Sequence, residues 1–160
     1  KASTDTPTHL EIYKKFINIK SITHNHSTYA TAWAQSAKPI PLVGTTHADY
    51  WKGDVPIVGF LSLKNLNDNY EEHTGKLILK TLQKKKLDAY SCPGVIVAGH
   101  GPFTWGSDYE SSVINAEILE FVAKTTYLSN IIKIKKKLPK YISNKHYLRK
   151  HGKNAYYGQA

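Results

Sequence analysis

The amino-acid sequence predicts an α/β domain in which a central β-sheet is flanked by helices. Apolar runs of strand length alternate with segments whose apolar residues recur at helical spacing. One such run, Val95–Ala98, is continuous and mostly β-branched, as expected of a buried strand. Capping-box spacing marks two predicted helix starts, at Thr8 with Glu11 and at Ser107 with Glu110. Because alternation alone does not fix strand direction, the sheet is predicted to be mostly antiparallel or mixed.

The first half of the chain contains most of the predicted strands. A helix is predicted to begin at Thr6, because Thr6 can cap it and Pro7 suits its first turn. The other elements predicted in this half are a strand at Asn18–His26, a helix over 27–37 capped by Ser27, strands at Pro39–Val43 and Pro56–Leu63, and a turn through 44–51.

The second half is predicted to be mainly helical. A helix is expected over Leu66–Lys86 despite Gly75 in its interior. The buried strand Val95–Ala98 follows and ends at a Gly-His-Gly turn. A long helix then starts near Ser107, and a last helix is expected over residues 140–152.

The length of the chain fits one domain, or most of one. The chain has 160 residues, begins at Lys1 and contains no methionine, so we expect residues 1–160 to be a single domain that lacks its N-terminal portion. The single cysteine, Cys92, excludes an internal disulfide and suits the reducing cytoplasm. Its apolar runs are much shorter than the roughly 20 residues of a membrane span.

The formal net charge of +10 could reflect nucleic acid, a membrane surface or an anionic substrate. Much of the excess lies in two runs, Lys84–Lys86 and Ile132–Lys140. Both runs end apolar helical patterns, where cations complement the helix dipole. We therefore expect solvated helix ends, with no nucleic-acid or membrane partner.

Three histidines stand in positions that suit a metal site. Side chains two residues apart on a strand share one face, so His24 and His26 would present two imidazoles together. His100 follows a buried strand and could enter the same cleft. Three histidines with an open position are typical of catalytic zinc, and Asp5 or Asp49 could add a carboxylate. Surface polar residues and an ordinary loop histidine are the alternatives.

Two further segments carry reactive side chains. Asp49 lies in the polar stretch 44–51, where it could be a general acid or base or a turn residue that bonds its own backbone. The C-terminal residues 145–159 are dense in aromatic and basic side chains. Such a tail could be disordered, or it could fold over a site or onto a neighbouring subunit.

Seven segments, in this order, resemble the L-ribulose-5-phosphate 4-epimerases of the class II aldolase and epimerase superfamily. They are DTPTH, HNHS after an apolar strand, TTHADY, YEEHTGK, PGVIVAGHGPFTWG, KHYLRKHG and AYYGQ. The resemblance runs from Ser3 to Gln159. It implies a three-layer class II aldolase-like domain and a cytoplasmic enzyme of sugar catabolism, in arabinose or ascorbate breakdown.

The resemblance also implies roles for individual residues. The divalent metal, usually Zn²⁺ but also Mn²⁺ or Co²⁺, would be bound by His24, His26 and His100 with Asp5 beside it. Asp49 and Tyr157 match the acid/base pair. Ser3 and Thr4 match a pair of serines that contacts the substrate phosphate, and His146 and Arg149 match tail residues close to the site. One departure is Thr4, whose position is commonly serine; another is His73, where glutamate is common.

The implied reaction is the interconversion of L-ribulose 5-phosphate and D-xylulose 5-phosphate. It proceeds by metal-assisted retro-aldol cleavage and re-formation of the C3–C4 bond. The implied assembly is a ring-shaped homotetramer in which the C-terminal tail, with Tyr157 and His146, completes a neighbour's site.

Three alternatives remain at the level of sequence. One is a class II sugar-phosphate aldolase of the fuculose- or rhamnulose-phosphate type, although such aldolases typically have glutamate where this chain has Asp5. The second is an inactive truncated remnant. The third is a basic binding module for RNA or a protein, which would not explain the spacing of the three histidines and Asp49.

Overall fold

The computed structural model describes residues 2–66, 68–133 and 137–158. Within these residues the helices are α1 (Thr6–Lys15), α2 (Thr28–Gln35), α3 (Thr45–Tyr50), α4 (Tyr70–Lys84), α5 (Tyr109–Ile131) and α6 (Lys140–His151), with a 3₁₀ turn at Leu63–Asn65. The strands are β1 (Ser21–His24), β2 (Ile57–Val58), β3 (Gly94–Val97) and β4 (Pro102–Gly106). Residues 134–136 of the predicted basic run and Gln159 of the tail lie outside the described residues.

The four described strands form one mixed sheet in the order β1-β4-β3-β2. β4 pairs antiparallel with both β1 and β3, whereas β2 and β3 run parallel. The register places Ile22 opposite Trp105 and His24 opposite Phe103. The predicted α/β class with a mixed sheet flanked by helices is confirmed.

The core lies between this sheet and helices α2 and α5. Phe103, Trp105 and Trp51 are buried almost completely. Each buried indole N–H has a partner, because Trp51 Nε1 donates to Gly94 O at 3.0 Å and Trp105 Nε1 donates to Ala89 O at 2.9 Å. The long helix α5 packs on β1 and β4, and α2 packs against α5.

Helices α1 and α4 pack closely at the point where a glycine interrupts the helical pattern of α4. A Cβ atom on Gly75 would lie 2.8 Å from both Thr8 O and Glu11 Cβ. Thr8 Oγ1 also donates a hydrogen bond to Glu71 O at 2.6 Å across the same contact. Because Gly75 has no side chain, the backbones of α1 and α4 can pack in direct contact. This contact fixes the position of the start of α1.

Several predicted strands are shorter than expected. The strand predicted over Asn18–His26 is confined to β1, so His26 lies in the loop after it. Of Pro39–Val43 only Ile40 pairs, in an isolated bridge with Val55, and of Pro56–Leu63 only β2 is a strand. The prolines at these strand starts cannot donate to a ladder, which limits pairing.

Two elements differ in kind from the prediction. The segment 45–50, predicted as part of a turn, is the one-and-a-half-turn helix α3. Strand β4 was not predicted, because the glycine-rich turn and Pro102 conceal its alternating pattern. The predicted N-terminal, central and C-terminal helices are confirmed, with the central one limited to α4.

The predicted caps are displaced by one residue or replaced. Asp5, not Thr6, is the N-cap of α1. At α5 the capping box joins Asp108 and Ser111, with Ser111 N donating to the Asp108 carboxylate at 2.7 Å, rather than Ser107 and Glu110. Ser27 stands at the N-cap of α2, but its side chain makes no capping bond.

Across the described ranges, none of the helices has both the length and the apolar character needed to cross a bilayer.

Candidate functional site

His24, His26 and His100 converge at one end of the sheet. His24 is the last residue of β1, His26 follows two residues later, and His100 lies in the turn between β3 and β4. Because β4 returns antiparallel beside β1, that turn reaches the end of β1. One nitrogen from each ring lies within 4.8 Å of the others. The predicted convergence is thus present, although His26 reaches it from a loop.

Hydrogen bonding orients the His24 ring. Its Nδ1 lies 2.8 Å from Pro102 O, a carbonyl that can only accept, so Nδ1 carries the proton and Nε2 keeps its lone pair. Nε2 lies 3.8 Å from a carboxylate oxygen of Asp5. Phe103 stacks on the ring with centroids 4.0 Å apart. The ring is therefore fixed with a ligating nitrogen directed to the Asp5 side.

Burial keeps two of the three rings in the form that binds metals. Desolvation lowers the pKa of His24 and of His100 from their usual value. Both imidazoles are therefore neutral at pH 7, as metal ligation requires. His100 Nδ1 is buried without a hydrogen-bond partner among the described residues. Three imidazoles beside a carboxylate are a donor set suited to Zn²⁺ or a similar divalent cation.

Gly101 leaves the space in which the histidines meet. A Cβ at this position would lie 2.9 Å from Asn25 O, 3.3 Å from His26 Cδ2 and 3.7 Å from His24 Cε1. The sequence marked this glycine only as a neighbour of His100. Its role depends on a distant chain segment, which local patterns cannot reveal.

The predicted phosphate-contact residues of the N-terminus directly precede Asp5 in the chain. Asp5 is the N-cap of α1 and directs its carboxylate at His24. Ser3 and Thr4 precede it and are exposed, and Ser3 Oγ accepts a 3.3 Å hydrogen bond from Asp5 N. The structure therefore places two accessible hydroxyl groups directly before the carboxylate.

Asp49 lies in a second cluster, formed by α3 and α6. Its side chain is 9% exposed and accepts two hydrogen bonds from Arg149, Nε to Oδ1 at 3.1 Å and Nη2 to Oδ2 at 3.0 Å. His146 Nδ1 lies 3.1 Å from Oδ1. His151 Nε2 donates to Asp49 O at 2.7 Å. The carboxylate is therefore held by the C-terminal helix of its own chain.

Tyr157 belongs to the same cluster. Its ring lies 4.1 Å from the guanidinium carbon of Arg149, and its N–H donates to Arg149 O at 3.2 Å. The side chain is about half exposed. Among the described residues, hydrogen bonds and ion pairs divide the predicted site into a histidine cluster with Asp5 and a second cluster around Asp49.

Sequence reasoning missed two residues that support the segments carrying these clusters. His151 holds the backbone of α3 through a hydrogen bond to Asp49 O, and in the sequence it was only one of the two histidines of the basic tail. Glu120 accepts hydrogen bonds from Tyr29 N at 2.9 Å and Ala30 N at 2.8 Å, and so caps the helix that follows His26. A cap supplied from 90 positions away has no local signal.

Cys92 is a packing residue. It is 1% exposed, and burial raises the pKa of its thiol to about 12. Its Sγ donates to Gly94 O at 3.2 Å. A protonated, enclosed thiol cannot act as a nucleophile at neutral pH.

Comparison with known proteins gives a family match over most of the chain. The sequence model described as "Class II Aldolase and Adducin N-terminal domain" matches residues 1–127.

Solved structures of the same fold include three with TM-scores of 0.65 to 0.68. YgbL of Klebsiella pneumoniae, described as "a putative aldolase/epimerase/decarboxylase", is 24% identical with a TM-score of 0.68, covering 91% of this chain and 65% of its own. A protein named L-fuculose 1-phosphate aldolase is 21% identical with a TM-score of 0.68, covering 90% and 61%. The L-fuculose 1-phosphate aldolase of Glaciozyma antarctica PI12 is 19% identical with a TM-score of 0.65, covering 88% and 48%. The chain thus spans about half to two thirds of the length of these structures.

Proposed function

Because the chain belongs to the class II aldolase and adducin N-terminal domain family, we propose that it acts on a sugar phosphate by metal-dependent cleavage of a carbon–carbon bond. The specific reaction that we propose is the interconversion of L-ribulose 5-phosphate and D-xylulose 5-phosphate. The observation that carries the proposal is the convergence of His24, His26 and His100 as imidazoles whose ligating nitrogens lie within 4.8 Å. The epimerase motifs that run from Ser3 to Gln159 support the specific reaction.

The chemistry explains why such an epimerase needs bond cleavage. The C4 hydrogen of L-ribulose 5-phosphate is not acidic, so deprotonation and reprotonation cannot invert that centre. Breaking C3–C4 gives an aldehyde at C4, and re-forming the bond on its other face inverts the centre. A divalent cation bound by the triad would act as a Lewis acid that stabilises negative charge on substrate oxygens.

In this proposal the cluster around Asp49 supplies the proton transfers. The C4 hydroxyl must lose a proton when C3–C4 breaks, and the oxygen must regain one when the bond re-forms on the other face. Asp49 and Tyr157 are the proposed carriers, one for each face. The exposed hydroxyls of Ser3 and Thr4 are proposed to contact the phosphate, which the net charge of +10 also favours.

We propose a homotetramer in which the tail completes a neighbour's site. Tyr157 and His146 lie in one cluster with Asp49. If the tail acts at the site of a neighbouring subunit, Asp49 of the same chain would lie at that site too. Each site would then combine the histidine cluster of one subunit with the Asp49 cluster of the next.

A class II sugar-phosphate aldolase is the second candidate. Its support is that two of the similar structures are named as L-fuculose 1-phosphate aldolases. Such an enzyme would use the same histidine triad and would release the aldehyde instead of re-forming the bond on its other face.

One experiment separates these candidates. The chain is stripped of metal, reloaded with Zn²⁺, Mn²⁺ or Co²⁺, and given L-ribulose 5-phosphate or L-fuculose 1-phosphate, with products followed by NMR. We expect D-xylulose 5-phosphate to form only in the metal-loaded protein. His100→Asn should lose both metal and turnover, whereas the matched control His73→Asn, on α4, should keep both.

Other outcomes would redirect the assignment. Cleavage of L-fuculose 1-phosphate without epimerisation would establish the aldolase. Stoichiometric metal without turnover of either substrate would support an inactive remnant, and turnover that survives in metal-free His100→Asn would contradict the metal site.

A further inference from the structure

Arg149 links the two proposed proton carriers. Its Nε and Nη2 groups donate to the two carboxylate oxygens of Asp49, at 3.1 and 3.0 Å. Its guanidinium carbon lies 4.1 Å from the centre of the Tyr157 ring. Its backbone carbonyl accepts the N–H groups of Tyr156 and Tyr157, at 2.9 and 3.2 Å. One residue therefore contacts both carriers and also folds the tail that bears one of them.

These contacts use different parts of one planar group. A guanidinium donates hydrogen bonds in its plane and stacks through its face, so Asp49 and Tyr157 can be held together without competition. A bidentate bond fixes the rotation of the carboxylate as well as its distance. The ammonium group of lysine has neither the paired N–H donors nor the planar surface of a guanidinium.

The pair with Asp49 is also shielded and permanently charged. The side chains are 9% exposed for Asp49 and 24% for Arg149. The hydrogen bond to the carboxylate raises the pKa of Arg149 above its usual value, so the guanidinium stays charged at any working pH. The Nε and Nη2 donors of Arg149 both bond to Asp49. That edge of the guanidinium is therefore not available to bind a substrate phosphate.

We propose that Arg149 is a positioning residue that sets the orientation of Asp49 and Tyr157 relative to each other, rather than a ligand of the substrate phosphate. This inference rests on the proposed function, because it assigns Asp49 and Tyr157 the proton transfers. It predicts that a change at Arg149 affects the chemical step and leaves phosphate recognition intact.

The test compares Arg149→Lys and Arg149→Gln with the unchanged metal-loaded chain. We expect kcat for L-ribulose 5-phosphate to fall by about tenfold to a hundredfold in Arg149→Lys, because the positive charge remains while the fork and stacking face are lost. Arg149→Gln should fall at least as far. KM and the inhibition constant of inorganic phosphate should stay within about twofold in both.

Lys145→Gln is the matched control. It removes one positive charge from an exposed position one turn earlier on the same helix, and it should keep kcat. A rise in KM and in the phosphate inhibition constant with kcat retained would make Arg149 a phosphate ligand and overturn the positioning role. Unchanged kinetics would overturn it as well. Absence of turnover in the unchanged chain would instead overturn the proposed function.

Discussion

At the scale of single residues, Gly101 determines how closely the histidine triad can assemble. Its α-carbon faces the loop that carries His26, and a methyl group there would lie 2.9 Å from Asn25 O, a backbone atom of that loop. The neighbouring His24 ring stacks on Phe103 and donates a hydrogen bond to Pro102 O, which fixes its position. The loop, rather than the strand, would therefore have to move.

Substituting Gly101 by alanine should weaken metal binding more than stability. The added methyl group would displace the His26 loop and spread the ligating nitrogens, so we expect zinc affinity to fall by about tenfold or more. Isothermal titration with Zn²⁺ would measure this. The control is Gly53→Ala, where the added Cβ meets nothing within 4 Å. Equal affinities in the two variants would contradict the packing argument.

Residue patterns revealed the identities of the triad but not its geometry. The interval of two between His24 and His26 suggested a shared strand face, and the convergence was predicted correctly for a partly wrong reason. His26 meets its partners because the chain leaves β1 and bends toward Gly101. The spacing of two histidines cannot report such a bend, because the bend depends on β4 and its turn.

At the scale of elements, Glu120 of α5 connects α5 to α2 by hydrogen bonds to the start of α2. The first N–H groups of a helix have no partners within the helix, and at α2 the Ser27 side chain does not supply one. The Glu120 carboxylate accepts from Tyr29 N and Ala30 N instead, and its negative charge suits the positive end of the helix dipole. Since α2 begins just after His26, this cap also restrains the candidate metal loop.

Glu120→Gln should therefore destabilise the fold. Loss of the charged acceptor at the start of α2 is expected to lower the free energy of unfolding by about 1–2 kcal/mol. Urea denaturation followed by tryptophan fluorescence would measure the change. Glu117→Gln provides the control, because Glu117 is exposed one turn earlier on α5. Similar losses in the two variants would show that the carboxylate of Glu120 has no special capping role.

Helices were predicted more accurately than strands, for a physical reason. A helix is stabilised by bonds between near neighbours in the chain, so the starts and the apolar spacing of α1 and α5 could be recognised locally, although their caps lie at other residues than predicted. Strands depend on distant partners. The central strand β4 pairs with β1 and β3, yet its own residues, which begin with proline, gave no local pattern.

At the scale of the whole molecule, the candidate metal site joins parts of the fold that are distant in the chain. It uses the end of β1, the loop before α2 and the turn between β3 and β4. Asp5 adds the start of α1. A bound cation would therefore connect the N-terminal helix, the sheet edge and the central hairpin.

Zinc should consequently stabilise the entire domain. Binding to the folded state alone raises the free energy of unfolding by about 2.7 kcal/mol when free ligand is at roughly 100 times its Kd. We expect the thermal midpoint of the metal-free protein to rise on addition of Zn²⁺ at about pH 7.5, where the buried His24 and His100 are neutral because desolvation lowers the pKa of each. His100→Asn should abolish the rise. A rise of the same size in that variant would place the stabilising zinc elsewhere.

The antiparallel pairing of β1 with β4 has a consequence for the order of folding. His24 and the carbonyl of Pro102, which fixes its tautomer, are 78 positions apart. Closing so long a loop is entropically expensive and slow compared with forming a helix. During synthesis, the two histidines of β1 and its loop emerge long before His100 and β4. Coordination of zinc by the full triad would therefore have to await synthesis of His100, and a ribosome-bound chain that ends before His100 would offer the ion only two of the three imidazoles.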